Sequence, residues 1–493
     1  MLRMSRSRFK PLAALSALFR PPAATPEPPP EAGLFTVHRS TLPNGLRVWV
    51  KPRFGTGAVF LALQVPVGSR HETKADNGIS HFLEHMLFTG TRKWNEQEVV
   101  EIIRRRGGES NARTAPEDTV FWLKLQAADL ALGVEWLSEI VFHPLLLEDK
   151  FEKERHVIIQ EKGGEFGVLE DLGKWIEERG LGWNVFYAVQ RQLFPQTSLL
   201  LPVIGEEASL RGITHAQLVE FYQRHYLPNN ATLIVVGDAH PETVLELARA
   251  HLGELPPGER PPRPATPPSL EQGFRLRLHG PNLNEQGQIL LGAPLPGLNH
   301  PDRWALGVLA ELLDTRLTQD IRFKRGLVYG IDVYPALYTD VGQFVVYTTA
   351  DSQKFGEILT EVENQIEVAI RGELDAAAVA EAKAAIRGRL LLGIESNPDL
   401  GWWLAEMSLF TSEEAPLPDL FANVEAVTPD DVARVARLYL SPEKRYQAVH
   451  RPSLTPNSLV RPALLSLGLA LTGLGVWLLA RARDKNQANK RAV

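Results

Sequence analysis

The sequence predicts an α+β chain of two homologous domains, each a mostly antiparallel sheet with helices packed on one face, followed by one C-terminal transmembrane helix. Three observations carry that expectation. Alternating apolar strands are interleaved with amphipathic helices, the pattern of helices gathered on a sheet. Seven prolines in the thirteen residues 256–268 form a linker, because neither a helix nor a central strand survives that density of proline. It divides the globular part into comparable halves, 32–255 and 269–455. Finally, the nineteen residues 462–480 carry no charge.

Taken in order, residues 1–31 read as a basic leader and a Pro-rich tether. Arg3, Arg6, Arg8, Lys10 and Arg20 surround a short apolar stretch at 12–19, and PPAATPEPPPE follows at 21–31. A basic start and an apolar run look like a signal peptide, but Arg20 stands where a small-residue cleavage site is wanted. A disordered leader is the alternative. In the first half, strands are expected at 46–50 (after the Asn44-Gly45 turn signal), 58–67, 119–125 and 231–236, with helices at 79–90, 96–106 and 130–140. The second half repeats the order with helix 304–316, a segment at 330–334, a strand at 343–349 and helix 353–368. Each half closes on a helix opened by a threonine, Thr214 or Thr428, with a proline 14 residues later, Pro228 or Pro442. This parallel implies a duplicated domain.

As a helix, residues 462–480 would span roughly 28 Å, close to the hydrocarbon thickness of a bilayer. A buried core helix is the bland reading, but apolarity on every face and the position at the chain end favour a single-pass span. The tail 481–493 holds Arg481, Arg483, Lys485, Lys490 and Arg491 against Asp484 alone. By the positive-inside rule the tail is expected to be cytoplasmic and the globular part periplasmic or otherwise extracytoplasmic.

Composition narrows the chemistry. At 493 residues, 44% hydrophobic and 23% charged, the chain is globular and long enough for two to four domains. A formal charge of -6 argues against nucleic acid as a partner. The absence of cysteine excludes disulfides, thiolate metal sites and cysteine nucleophiles, so any metal falls to the 13 histidines and the carboxylates.

His81-x-x-Glu84-His85 meets that requirement. Histidines at i and i+4 share a helical face, and Glu84 lies on the same side. Two neutral imidazoles suit zinc, and a neighbouring carboxylate that does not bind the metal can take a proton from its water. A pair of solvated or core histidines is the alternative for the motif alone. A third ligand is needed to leave one coordination position open, and three candidates stand downstream: Glu154, Glu161 and Glu165. Glu165 follows Gly163-Gly164, which would break the helix. Glu154 and Glu161 are two turns apart on one face, so periodicity does not choose between them.

With these residues in view, the chain resembles the inverzincin zinc peptidases of the pitrilysin and mitochondrial-processing-peptidase family, the insulinase-like peptidases. The likeness rests on His81-x-x-Glu84-His85 with Glu161 76 residues beyond His85, and extends over roughly 35–450. Leu42-Pro-Asn-Gly-Leu-Arg-Val, Gly68-Ser-Arg, Gly108-Glu-Ser-Asn-Ala-Arg-Thr, Glu154-Arg-x-Val-Ile-x-x-Glu161 and Arg322-Phe-Lys-Arg-Gly-Leu-Val-Tyr329 are all similar to family landmarks. The resemblance implies a zinc metalloendopeptidase acting on peptides or unfolded segments. His81, His85 and Glu161 would hold the zinc, Glu84 would be the general base, and Glu154 would orient the site from behind a ligand. Asn111 and Ala112 would lie on an edge strand that pairs with an extended peptide, and Arg322 and Tyr329 would hold the substrate and the developing oxyanion. One zinc per chain is implied, since no second such motif exists in 269–455. A homodimer, or a heterodimer with a paralogous subunit, would complete the chamber. The membrane span and basic tail are not part of the family pattern. Other readings are a non-catalytic partner subunit, or a membrane-anchored peptide-binding protein of the same fold.

Overall fold

Runs of β-branched and aromatic residues build two sheets on one plan. The first contains β1 (His38–Thr41), β2 (Arg47–Pro52), β3 (Ala58–Val65), β4 (Glu109–Thr114), β5 (Thr119–Gln126) and β6 (Thr232–Gly237), in the order β1-β2-β6-β3-β5-β4. The second contains β7 (Arg275–Pro281), β8 (Gly287–Pro296), β9 (Ile331–Leu337), β10 (Val341–Ala350) and β11 (Tyr446–Leu454), in the order β7-β11-β8-β10-β9. With β1 set aside, both sheets run first, last, second, fourth, third along the chain. In each, the first and last strands pair in parallel and the other neighbours pair antiparallel. The repeat extends to local chemistry. Thr214 and Thr428 each cap a helix by accepting from the backbone N–H three residues on, at Gln217 and Asp431, whose side chains reach back to the cap.

The computed structural model describes residues 33, 36–163, 184–266, 272–281, 286–411, 415–454 and scattered positions between 462 and 477. In the first half, α1 (Ile79–Leu87), α2 (Glu96–Arg104), α3 (Leu130–Phe142) and α4 (Glu148–Glu161) follow the sequence expectation closely. Val134 and Leu137 of α3 share a core with Leu61, Leu63 and Leu123 of β3 and β5.

The sequence predicts helices on one face of each sheet; the structure covers both. Alternate residues of β3 face opposite ways, yet seven of its eight are buried. Phe60, Ala62 and Gln64 lie under helix Asn397–Phe410 of the second half. Gln64 donates to the Ala405 carbonyl at 2.8 Å, Arg47 donates to the Ser408 carbonyl at 3.0 Å, and the Phe60 ring lies 6.1 Å from that of Trp402. A methyl group on Gly401 would come within 2.2 Å of the Phe60 ring, so only glycine permits that approach. The exchange is reciprocal. Helix Val185–Leu193 of the first half packs Val185, Val189 and Leu193 against Leu290, Val345, Tyr446 and Ala448 of the second sheet. Arg70 adds a polar tie. Only 4% exposed, it pairs with Glu117 and with Asp340 at 2.9 Å and donates to Thr266 at 2.7 Å, while Thr339 donates to Glu117 at 2.6 Å.

The expected membrane span is corrected. No helix among the described residues is long and apolar enough to cross a membrane. The described positions from 462 to 477 are helical and exposed. Membrane anchoring and the single-pass, extracytoplasmic placement are therefore not supported. The leader 1–31, the rest of 462–480 and the tail 481–493 lie outside the described residues.

Candidate metal centre

The site begins with the capping of α1. Gly78 opens the helix at φ +95°, where a side chain would be strained and a Cβ would come within 2.8 Å of Gly205. It offers no side chain to cap the first turn. Buried Glu72 does so instead, accepting from the N–H groups of Gly78 (2.8 Å) and Ser80 (2.9 Å) and from the Asn77 amide (2.8 Å). Burial pushes the Glu72 carboxyl above its usual range, with these hydrogen bonds pulling the other way.

From that anchor α1 presents His81 and His85 side by side, ring centroids 4.8 Å apart. The adjacent residue, Phe82, stacks on Phe151 of α4 at 4.6 Å with the rings nearly parallel. This stacking sets α4 beside α1 and brings both candidate acids to the histidines. Glu161 Oε2 lies 3.4 Å from His85 Nε2 and 3.8 Å from His81 Nε2. Glu154 Oε2 lies 3.4 Å from His85 Nδ1, behind the ring. Each carboxylate thus addresses a different nitrogen of His85. Glu165 lies outside the described residues.

The donor set fits zinc. Ligand atoms of His81, His85 and Glu161 all lie within 4.8 Å of one another. Tetrahedral zinc with bonds near 2.05 Å needs ligand atoms about 3.3 Å apart, and two of the observed separations, 3.4 and 3.8 Å, are close to that. Two imidazoles and one carboxylate leave a fourth position open.

Glu84 is buried on the same helix. Its carboxylate accepts from the Thr114 hydroxyl at the end of β4. Burial raises its pKa, opposed by Thr114 and by the charge of His85. Burial and the neighbouring His85 depress His81 to about 4, with Glu161 opposing. At His85 burial also disfavours the charge, but Glu154, Glu84 and Glu161 outweigh it and hold its pKa up. A buried carboxylate beside a cluster of metal-ligand type is an arrangement able to accept and return a proton.

The remaining expected residues stand apart from this cluster. Asn111 and Ala112 lie on β4, the outermost strand of its sheet, paired with Trp122 and Phe121 of β5. Asn111 Oδ1 accepts from the Ala112 N–H at 2.9 Å. Arg322 and Tyr329 are both exposed, with the guanidinium 5.3 Å from the ring centroid. Among the described residues, the hydrogen bonds and ion pairs of the histidines and Glu84 go to Glu154, Glu161 and Thr114 and not to these two. Sequence reasoning gave no role to Glu72 or to Thr114, although Thr114 ends the Gly108–Thr114 landmark. Each matters through a contact that folding creates.

Two family models match the chain, Insulinase (Peptidase family M16) over residues 50–164 and Peptidase M16 inactive domain over 212–386. An uncharacterized zinc protease of Streptomyces coelicolor is 30% identical over 436 residues, covering 86% of this chain and 90% of that protein. Mitochondrial-processing peptidase subunit beta of Mus musculus is 26% identical over 412 residues, 81% of each chain. The solved structure of a protease from Helicobacter pylori shares the fold, with a TM-score of 0.73 at 24% identity over 85% of this chain and all of that one. With the zinc-protease relative aligned over most of its length and a family model on each half, the chain belongs to the insulinase-like peptidase family M16.

Proposed function

We propose that this chain is a zinc-dependent endopeptidase hydrolysing peptides or unfolded segments, with His81, His85 and Glu161 holding one zinc ion and Glu84 as general base. The convergence of three ligand atoms within 4.8 Å, beside a buried carboxylate that is not one of them, carries the reading. When bound, zinc supplies a water of lowered pKa and polarises the scissile carbonyl. Glu84 then takes the proton of the attacking water and returns it to the leaving amine. Glu154 fixes the His85 ring by accepting from Nδ1, leaving Nε2 for the metal. The open side of β4 offers Asn111 and Ala112 to an extended peptide by strand addition. Arg322 and Tyr329, exposed and mutually stacked, supply a cation and a phenol to hold the substrate and the developing oxyanion. A second copy or a paralogous subunit would complete the chamber, a reading supported by the likeness to a peptidase named as one subunit.

The test uses an unstructured peptide and the purified chain. Cleavage is expected to stop with chelator and return with zinc, with close to one zinc bound per chain. Glu84→Gln is expected to fold and keep its zinc while losing nearly all turnover. Wild-type turnover in that variant would refute the assigned base. A folded, zinc-loaded wild-type chain with no cleavage of any peptide in a mixed library would favour a non-catalytic subunit instead.

A further inference from the structure

We propose that Thr114 is a positioning residue that ties the proposed base to the edge strand. Glu84 sits on α1 and Thr114 ends β4, so the contact joins two elements that otherwise approach only through packing. The Thr114 hydroxyl donates to Glu84 Oε2, and the Thr114 backbone N–H lies against the same carboxylate. The hydroxyl is held in turn. Thr114 stands opposite Thr119 in the β4–β5 register, with the two Oγ1 atoms 3.5 Å apart, and fully buried Thr119 is pinned to the Val67 carbonyl at 2.9 Å. The terminal torsion of a glutamate is broad, and among the described residues this hydroxyl is the side-chain donor that fixes it at Glu84.

The placement has a functional consequence. β4 is the outermost strand of its sheet. Its residues alternate, with Thr114 and Ala112 turned toward the α1 side and Arg113 turned to Trp402 on the other face, 4.5 Å from its ring. The strand with an open edge for an extended peptide therefore also orients the group that would take the proton. Seating a peptide along β4 and aiming Glu84 are one mechanical event, because both use the end of the same strand. The hydroxyl touches neither substrate nor metal; it acts through Glu84.

This inference rests on the reading of Glu84 as the base, and the experiment separates the two. Thr114→Val keeps the shape and backbone N–H and removes the hydroxyl; Thr114→Ser keeps the hydroxyl. With zinc-loaded enzyme and an unstructured peptide, Val is expected to lower kcat at least tenfold with KM within twofold and zinc stoichiometry unchanged. Ser is expected to recover kcat to within threefold. Wild-type kcat in the Val variant, or a loss that Ser does not restore, would overturn the role. A second readout avoids turnover. Urea midpoints of the zinc-free wild type, Thr114→Val, Glu84→Gln and the double variant should be non-additive, because the contact is lost only once. Additive shifts would mean that the two side chains are not coupled. Full activity of Glu84→Gln would instead sink the underlying assignment of the base, whatever Thr114 does.

Discussion

His85 divides the two carboxylates of α4 between its two nitrogens, Glu161 at Nε2 and Glu154 at Nδ1, both at 3.4 Å. That division separates two acids that helical periodicity left equivalent. A carboxylate on the Nδ1 side cannot reach an ion on the Nε2 side of the same ring, so its influence passes through the imidazole. Glu161→Gln is therefore expected to lose zinc affinity severely. Glu154→Gln should lose it by about 10- to 100-fold, the range for groups that orient a ligand. Competition titration with a zinc-chelating dye measures both, and equal or reversed affinities would contradict the assignment. The His81–His85 juxtaposition was legible because i,i+4 spacing dictates it. Periodicity did not choose among the acids; the family resemblance named Glu161, and the distances depend on how α4 lies against α1.

At the scale of the element, α1 is held from outside itself. A helix opened by glycine has no capping side chain, and its first N–H groups would otherwise be orphaned. Glu72 satisfies two of them and the Asn77 amide as well. Glu72→Ala removes all three acceptor contacts, each buried donor left unpaired costing roughly 1–3 kcal/mol. The expected outcome is a clearly lower urea midpoint together with weaker zinc binding, since a loosened first turn misplaces His81. Glu72→Gln keeps one acceptor oxygen and should fall between. A Glu72→Ala chain with wild-type midpoint and zinc affinity would show that the helix needs no such anchor. Nothing in the sequence marks Glu72, because it caps across a loop rather than from the N-cap position.

At the scale of the whole molecule, half-buried His71 and buried His225 add a pH dependence. Their rings lie 5.6 Å apart edge-on. Burial, the facing His225 and the nearby Arg70 and Arg263 push His71 down to about 3, with the Gly68 backbone opposing. Burial and Arg224 push His225 down to about 4, with Asp76 opposing. Both are bases with a lowered folded pKa, so below the ordinary value near 6.5 the unfolded chain binds more protons than the folded one. Their contribution is complete above pH 6.5 and is lost as pH falls toward 4 and 3. Urea midpoints from pH 7 to 4 should therefore decline, and less steeply in His225→Leu. An unchanged slope in that variant would exclude His225 as a source.

Much of the architecture is written in local pattern. The 3.6-residue and two-residue periods specify α1 to α4 and five of the eleven described strands, β2, β3, β5, β6 and β10, to within a few residues, the two threonine-capped helices announce the repeat, and the motif sets two imidazoles on one face. These features follow from spacing along a single element, which sequence determines directly. The membrane helix is the exception: a count of apolar residues names a candidate span, and no helix among the described residues is long and apolar enough to cross a membrane. Only tertiary structure decided that each half lends a helix to the other's sheet, that Arg70 ties Glu117 to Asp340, that Glu154 and Glu161 face opposite nitrogens of His85, and that Thr114 reaches Glu84. Each of those joins residues far apart in the chain, and the free energy that selects them comes from burying two surfaces against each other, a quantity that neither stretch of sequence possesses alone.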